Sequence, residues 1–197
     1  MRFVVYDIEI EKGVPMRHEP NIEGFEYCAG WHDHANMGIS CVGAYDSDEE
    51  RYRVFGSDNR EEFFQLADSA DLLVGFNNIP FDNAVIRACW STYDFQPDSK
   101  CYDLLREVWK AAGLGDQFNS QTHAGYGLDA MCEANFARKK SGNGALAPID
   151  WQQGKWCTVI DYCLNDVNLT KKLFDIVNAG MPLVNPKGGV LNLRVTT

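Results

Sequence analysis

The chain has 197 residues, is 45% hydrophobic and 23% charged, and carries a formal net charge of −10. That is enough sequence for one domain with a proper core, and it excludes an apolar run of transmembrane length. The charge also excludes a broad basic surface for a polyanion; such a partner could be held only at a small site where metal ions reverse the local charge.

Asp7, Glu9 and Glu11 interrupt any apolar N-terminal segment of the secretory kind, so a cytoplasmic location is expected. The seven cysteines are scattered without a CxxC pair and read as reduced thiols, mostly small core residues.

The first stretch, Arg2-Phe3-Val4-Val5, is apolar and β-branched and reads as a buried strand, central in its sheet. It runs into Tyr6-Asp7-Ile8-Glu9. Alternate strand residues share a face, so Asp7 and Glu9 project together. Two adjacent carboxylates repel unless something positive offsets them, and a hard divalent cation does so with carboxylate oxygens. The plainer reading places both acids in water.

Residues 12–37 hold two prolines and three glycines and read as an irregular insert. Cys28, His32 and His34 in this segment lack a second metal-binding arm, so a solvated polar loop is the expectation. Residues 39–45 form a second strand, and 51–55 its hairpin partner at a sheet edge. Ser57 is the expected cap of a helix beginning near Asn59, with Phe63, Phe64, Leu66 and Ala67 on its buried face.

A fourth strand covers residues 71–76 and feeds a helix from about Phe81 to Trp90, with Pro80 in its first turn and Asn77 or Asn78 as cap. A fifth strand over 100–104 passes through Asp103, the expected cap of a helix reaching Ala112. Residues 113–126 read as loop, and 128–136 as helix. Arg138-Lys139-Lys140 is the dense basic run, followed by a loop over 141–148. The last long helix spans about 158–178, and the tail over 180–197 is an edge strand or loose. Two βαβ crossovers and one hairpin predict an α/β fold: a mixed five-stranded sheet with helices on both faces.

Two further acids stand where they could meet Asp7 and Glu9. Asp82 opens a helix just after a buried strand, where sites form in such sheets; alone, it reads more readily as an acid favouring the helix dipole. Tyr162 and Asp166 share a face of the last helix, at the margin of the stripe Val159, Cys163, Val167, Leu173, Phe174, Val177. A carboxylate there needs a partner or a metal.

Together these segments read Asp7-Ile8-Glu9, Asn77-Asn78-Ile79-Pro80-Phe81-Asp82 and Tyr162-Cys163-Leu164-Asn165-Asp166. In that order they resemble the 3′–5′ exonucleases of the ribonuclease H-like superfamily, in the tyrosine subclass of the DEDD group. The wording is most similar to the proofreading domain of family B DNA polymerases. The resemblance spans Asp7 to Asp166; the long insert at 12–37 departs from it, and no polymerase domain follows.

The resemblance implies a single exonuclease domain over 1–197 that releases nucleoside monophosphates from nucleic-acid 3′ ends using two divalent metal ions, Mg2+ or Mn2+. Asp7, Glu9, Asp82 and Asp166 would hold the metals, with Tyr162 orienting the nucleophilic water; an ordinary phenol is a poor base. Asn77 would hydrogen-bond near the terminal nucleotide. Phe76 and Phe81 would stack on its base, although core packing is the plainer role for each. Apart from the resemblance, Arg138, Lys139 and Lys140, three consecutive basic residues before a glycine-containing loop, would guide the strand towards the metals. Single-stranded DNA is favoured over RNA, a separate polymerase or replication protein is an implied partner, and no membrane is involved. The alternatives are an RNA 3′-end exonuclease of the same fold and a non-catalytic replication accessory module.

Overall fold

A computed structural model describes residues 1–16, 18, 20–137 and 144–195. Its main sheet has five strands in the order β3-β2-β1-β4-β5. They are β1 (Phe3–Glu9), β2 (Cys41–Asp46), β3 (Arg51–Phe55), β4 (Leu72–Gly75) and β5 (Cys101–Asp103). β1 is central, antiparallel to β2 and parallel to β4. The helices are α1 (His34–Met37), α2 (Arg60–Ser69), α3 (Asp82–Cys89), α4 (Leu104–Ala111), α5 (Leu128–Phe136), α6 (Ala147–Gln152) and α7 (Trp156–Asn178). The mixed α/β fold expected from the sequence is the one observed.

The alternation of β1 divides the core. Val4, Tyr6 and Ile8 pack with Met37, Phe63, Phe64, Val85 and Ile86 on the face covered by α1, α2 and α3. Val5 packs with Leu104, Val108, Met131, Val167, Leu173 and Phe174 on the face covered by α4, α5 and α7. Phe3, Asp7 and Glu9 share the parity of Val5, so both acids lie on the α7 side.

α7 runs antiparallel to β1. Phe174 meets Phe3 edge-on at 5.0 Å between ring centroids, and Cys163 reaches Asp7, its thiol donating to the Asp7 carbonyl at 3.5 Å. This close approach is permitted by Gly43, which lies opposite Asp7 on β2. A Cβ there would stand 2.9 Å from Cys163 Sγ and 3.3 Å from Val167 Cγ2.

Several boundaries differ from expectation. Neither Asn77 nor Asn78 caps α3; Phe81 occupies the cap position. Asn77 instead holds a left-handed backbone (φ 70°), and Asn78 is buried behind the strand. Ser57 does not cap α2. Asn59 takes that position, with its Oδ1 accepting from the Gly56 amide rather than from the helix. Residues 147–152, expected as loop and connector, form α6, started by Pro148 in its first turn. The tail forms a separate two-stranded hairpin, β6 (Leu183–Val184) and β7 (Val190–Leu191), anchored by buried Leu183, Leu191 and Leu193.

The insert at 12–37 is pinned at both ends. The amides of Glu11 and Lys12 donate to the Met37 carbonyl, and Gly13 bridges Tyr27. Gln152 of α6 accepts from the Glu26 amide at 2.7 Å and donates to the carbonyls of Glu11 and Glu26. The segment ends in α1, whose His34 carbonyl accepts from the Cys89 thiol of α3.

Candidate metal centre

The parallel ladder between β1 and β4 ends at Val5, opposite Val74, whereas the antiparallel ladder to β2 continues to Glu9. One edge of β1 is thereby released from β4 beyond Val5. The N-terminus of α3 occupies that gap: the Ile8 amide donates to Asp82 Oδ1 at 3.2 Å. Asp82 is 3% exposed, so its carboxylate lies inside the protein, between the two acids of β1 in sequence register.

A polar network holds the start of α3 against β1. The Tyr6 hydroxyl donates to Asn83 Oδ1 and accepts from Asn78 Nδ2 at 3.1 Å, and Asn83 Nδ2 donates to Asp98 at 2.9 Å. Burial holds the Tyr6 phenol well above its usual range, so it remains a neutral donor. Gly75 completes the turn, because a Cβ there would stand 2.5 Å from the Asn78 side chain.

Asp103 organises the intervening loop. It caps α4 through the amides of Leu105 and Arg106, and the same carboxylate accepts from the amides of Asn77 at 2.9 Å and Ile79 at 3.3 Å. Burial raises its pKa, and these amides and Arg106 oppose the rise. Its expected capping role is observed; its grip on the Asn77 loop was not legible from spacing.

α7 supplies the other side. Asp166 is 3% exposed, deeper than the margin position expected from the sequence. Tyr162 is partly buried against Cys41, Val159 and Cys163, and a Cβ on Gly144 would stand 3.1 Å from its hydroxyl oxygen. One carboxylate oxygen each from Asp7 and Glu9 lies with Cys163 Sγ in a group whose atoms are all within 4.8 Å of one another. The Cys163 thiol is held well above its usual pKa by its hydrogen bond with Cys41 and by burial. The group offers two adjacent carboxylates on β1, Asp7 and Glu9, and the Asp82 carboxylate reaches the Ile8 amide between them. Such a set fits a hard divalent cation such as Mg2+ or Mn2+.

The remaining expected residues are placed as follows. Asn77 and Phe81 line a cleft of about 460 Å³ beside the acids. Phe76 is half-buried against the core under α4, α5 and α7 and does not line that cleft. Lys139 and Lys140 lie outside the described residues.

Three features escaped the sequence reading. Gly43 has no side-chain chemistry to announce it. Cys163 stands beside Tyr162 in the motif, yet only the helix packing shows its thiol at Asp7. The aromatic lining of the cleft comes from four segments, at Trp31 and His34, Phe81, Trp109, and Phe118 to Tyr126.

A family model described as the RNase H superfamily matches residues 28–178. The chain belongs to that superfamily, whose fold is of nuclease type. It is similar in structure to the family B DNA polymerase from the hyperthermophilic archaeon Pyrobaculum calidifontis. The TM-score is 0.60 at 19% identity, over 90% of this chain and 24% of the polymerase chain. This chain thus spans about a quarter of that polymerase. No curated protein matches.

Proposed function

We propose that the chain is a metal-dependent 3′–5′ exonuclease that hydrolyses nucleic-acid 3′ ends to nucleoside monophosphates, preferring single-stranded DNA. The observation that carries this reading is the carboxylate pair Asp7 and Glu9 on the central strand, with Asp82 against the intervening Ile8 amide and α7, the helix of Tyr162 and Asp166, reaching Asp7 through Cys163.

Asp7, Glu9, Asp82 and Asp166 would hold two divalent cations, which would supply an activated water and neutralise charge on the leaving 3′ oxygen. Asp7, at the centre of the group, would be shared between them. Tyr162 would orient the attacking water through its hydroxyl. Asn77, held by its own amide on Asp103, would hydrogen-bond the terminal nucleotide. Lys139 and Lys140 would steer the strand. The whole chain would act as one exonuclease unit, alone or beside a polymerase.

The test is release of mononucleotides from a 5′-labelled single-stranded oligonucleotide on adding Mg2+ or Mn2+. Asp7→Asn should lower the rate by about 10³-fold or more while retaining the fold by circular dichroism. Undiminished Mg2+-dependent release by Asp7→Asn would overturn the assignment. A matched RNA oligomer reports the sugar preference, because a site tells RNA from DNA at the 2′-hydroxyl.

A further inference from the structure

The insert at 12–37 ends beside the cleft next to the acids. Trp31 is 59% exposed, and its ring meets Phe81 at 5.8 Å in an edge-to-face contact; His34 meets the same Phe81 at 6.3 Å. Phe81, expected to stack on the terminal base, is thus already flanked by two rings. Its neighbour Trp31 has a face open to solvent.

A second aromatic group lines the same cleft. Phe118 is 67% exposed and packs against Trp109 at 6.1 Å and His123 at 6.2 Å. His123 is buried and fixed through both ring nitrogens. Nε2 donates to the Gly115 carbonyl at 3.0 Å, so Nδ1 accepts from the Thr122 hydroxyl at 2.7 Å. These contacts give Phe118 a rigid backing.

Two large rings left this exposed in one cleft mark a binding surface. Charge indicates what binds. Among the described residues no acidic side chain lines the cleft, although the chain has 28 acidic residues and an acid cluster lies next door. Lys187 stands beside it, its Nζ 4.5 Å above the Tyr126 ring and donating to the Thr122 carbonyl at 3.0 Å. Flat apolar faces, an edge free of carboxylates and a fixed cation suit a base with its phosphate. The Asn77–Asp82 loop links this cleft to the candidate metal centre.

We infer that Trp31 and Phe118 form a base-stacking site for an internal nucleotide of a single strand whose 3′ end lies at the acids, with Lys187 toward the adjoining phosphate. The inference rests on the exonuclease reading for the strand's direction and on the cleft alone for stacking. A paired base is already stacked on its neighbours, so the site accepts only unpaired strand. Trp31 makes the insert a selector for substrate length and single-strandedness.

The test is fluorescence anisotropy of 5′-labelled thymidine oligomers of two to eight nucleotides, with Ca2+ replacing Mg2+ to block cleavage. Wild-type affinity should rise stepwise once the oligomer is long enough to reach the cleft. Trp31→Ala and Phe118→Ala should each weaken the longer oligomers by about tenfold and the dinucleotide hardly at all. Both rings are exposed, so these variants keep their core, and Trp31→Phe should recover most of the loss. In Mg2+, the loss should fall on KM and grow with oligomer length. Equal binding of long oligomers by wild type and both Ala variants would overturn the site, as would wild-type binding unchanged on an abasic tract. The exonuclease reading fails separately, if wild type releases no mononucleotide whatever the binding result.

Discussion

Substituting Gly43 by Ala tests whether the spacing between β2 and α7 sets the geometry of the site. The added Cβ would stand 2.9 Å from Cys163 Sγ, 3.3 Å from Val167 Cγ2 and 3.4 Å from Leu164 Cδ2. Relaxed non-bonded contacts lie at about 3.5–4.0 Å, so α7 must retreat by about 0.6 Å or more at Cys163. Overpacking of this kind costs about 1–3 kcal/mol, and replacing a strand glycine returns about 0.5–1 kcal/mol. The midpoints of these ranges leave a net loss of about 1 kcal/mol, which should lower Tm by about 2–4 °C. The kinetic effect should be larger, because Tyr162 and Asp166 ride on the displaced turn. A shift approaching 1 Å at a reacting group can cost about 10²-fold in rate. Thermal unfolding and oligonucleotide turnover measure the two effects on one preparation. Adding Cys163→Ala removes the nearest contact and should recover much of both losses, appearing as coupling in a double-mutant cycle. Wild-type Tm and turnover in Gly43→Ala, or a double variant no better than the single, would refute the reasoning.

Three other outcomes are expected. Tyr162→Phe should lower kcat well beyond any change in KM, since a hydroxyl that aligns water acts mainly in the transition state; a loss confined to KM would make Tyr162 a substrate contact. Asp103→Ala removes a helix cap and leaves the amides of Asn77 and Ile79 without their acceptor, so unfolding by urea should show a loss of about 2–4 kcal/mol together with weaker oligonucleotide binding. Burial pushes the Asp46 carboxyl up, but Arg2 and the Asp48 amide outweigh it and hold the folded value below the ordinary one. That stabilisation is present above the unfolded value near 3.9 and is lost as pH falls through the folded one. The stability gap between wild type and Arg2→Gln should therefore be full above about pH 5 and shrink below about pH 4, whereas a gap constant from pH 3 to 7 would exclude the pair as its source.

The strands were legible because each is a short apolar run between turn residues, and β1, with buried Val4, Val5 and Tyr6 preceding Asp7, carries the strongest such signal. α5 and α7 were legible from helical periodicity. Caps were harder, because the competition among Asn77, Asn78 and Phe81 is decided by long-range partners. Asn78 turns inward to Tyr6 and the Asn77 amide turns to Asp103. α6 was missed because Pro148 reads as a loop residue until the helix it starts is seen. The candidate acids were legible as motifs, but their burial was not. α7 sits close on the sheet at Gly43, and a glycine shows in sequence only as an absence of side chain.

The thiol of Cys163 and the carbonyl of Asp7 are separated by 156 positions in the chain. A protein emerging from the ribosome therefore exposes its first two acids long before the helix that completes their surroundings exists. Until α7 docks, β1 has no cover over Asp7 and Glu9, and no fragment lacking the last third of the sequence can assemble the group. The proposed activity thus waits on the synthesis and docking of α7. The same separation makes the chain suited to a split reporter: two inactive pieces, cut between α5 and α6, would regain function only on reassociation.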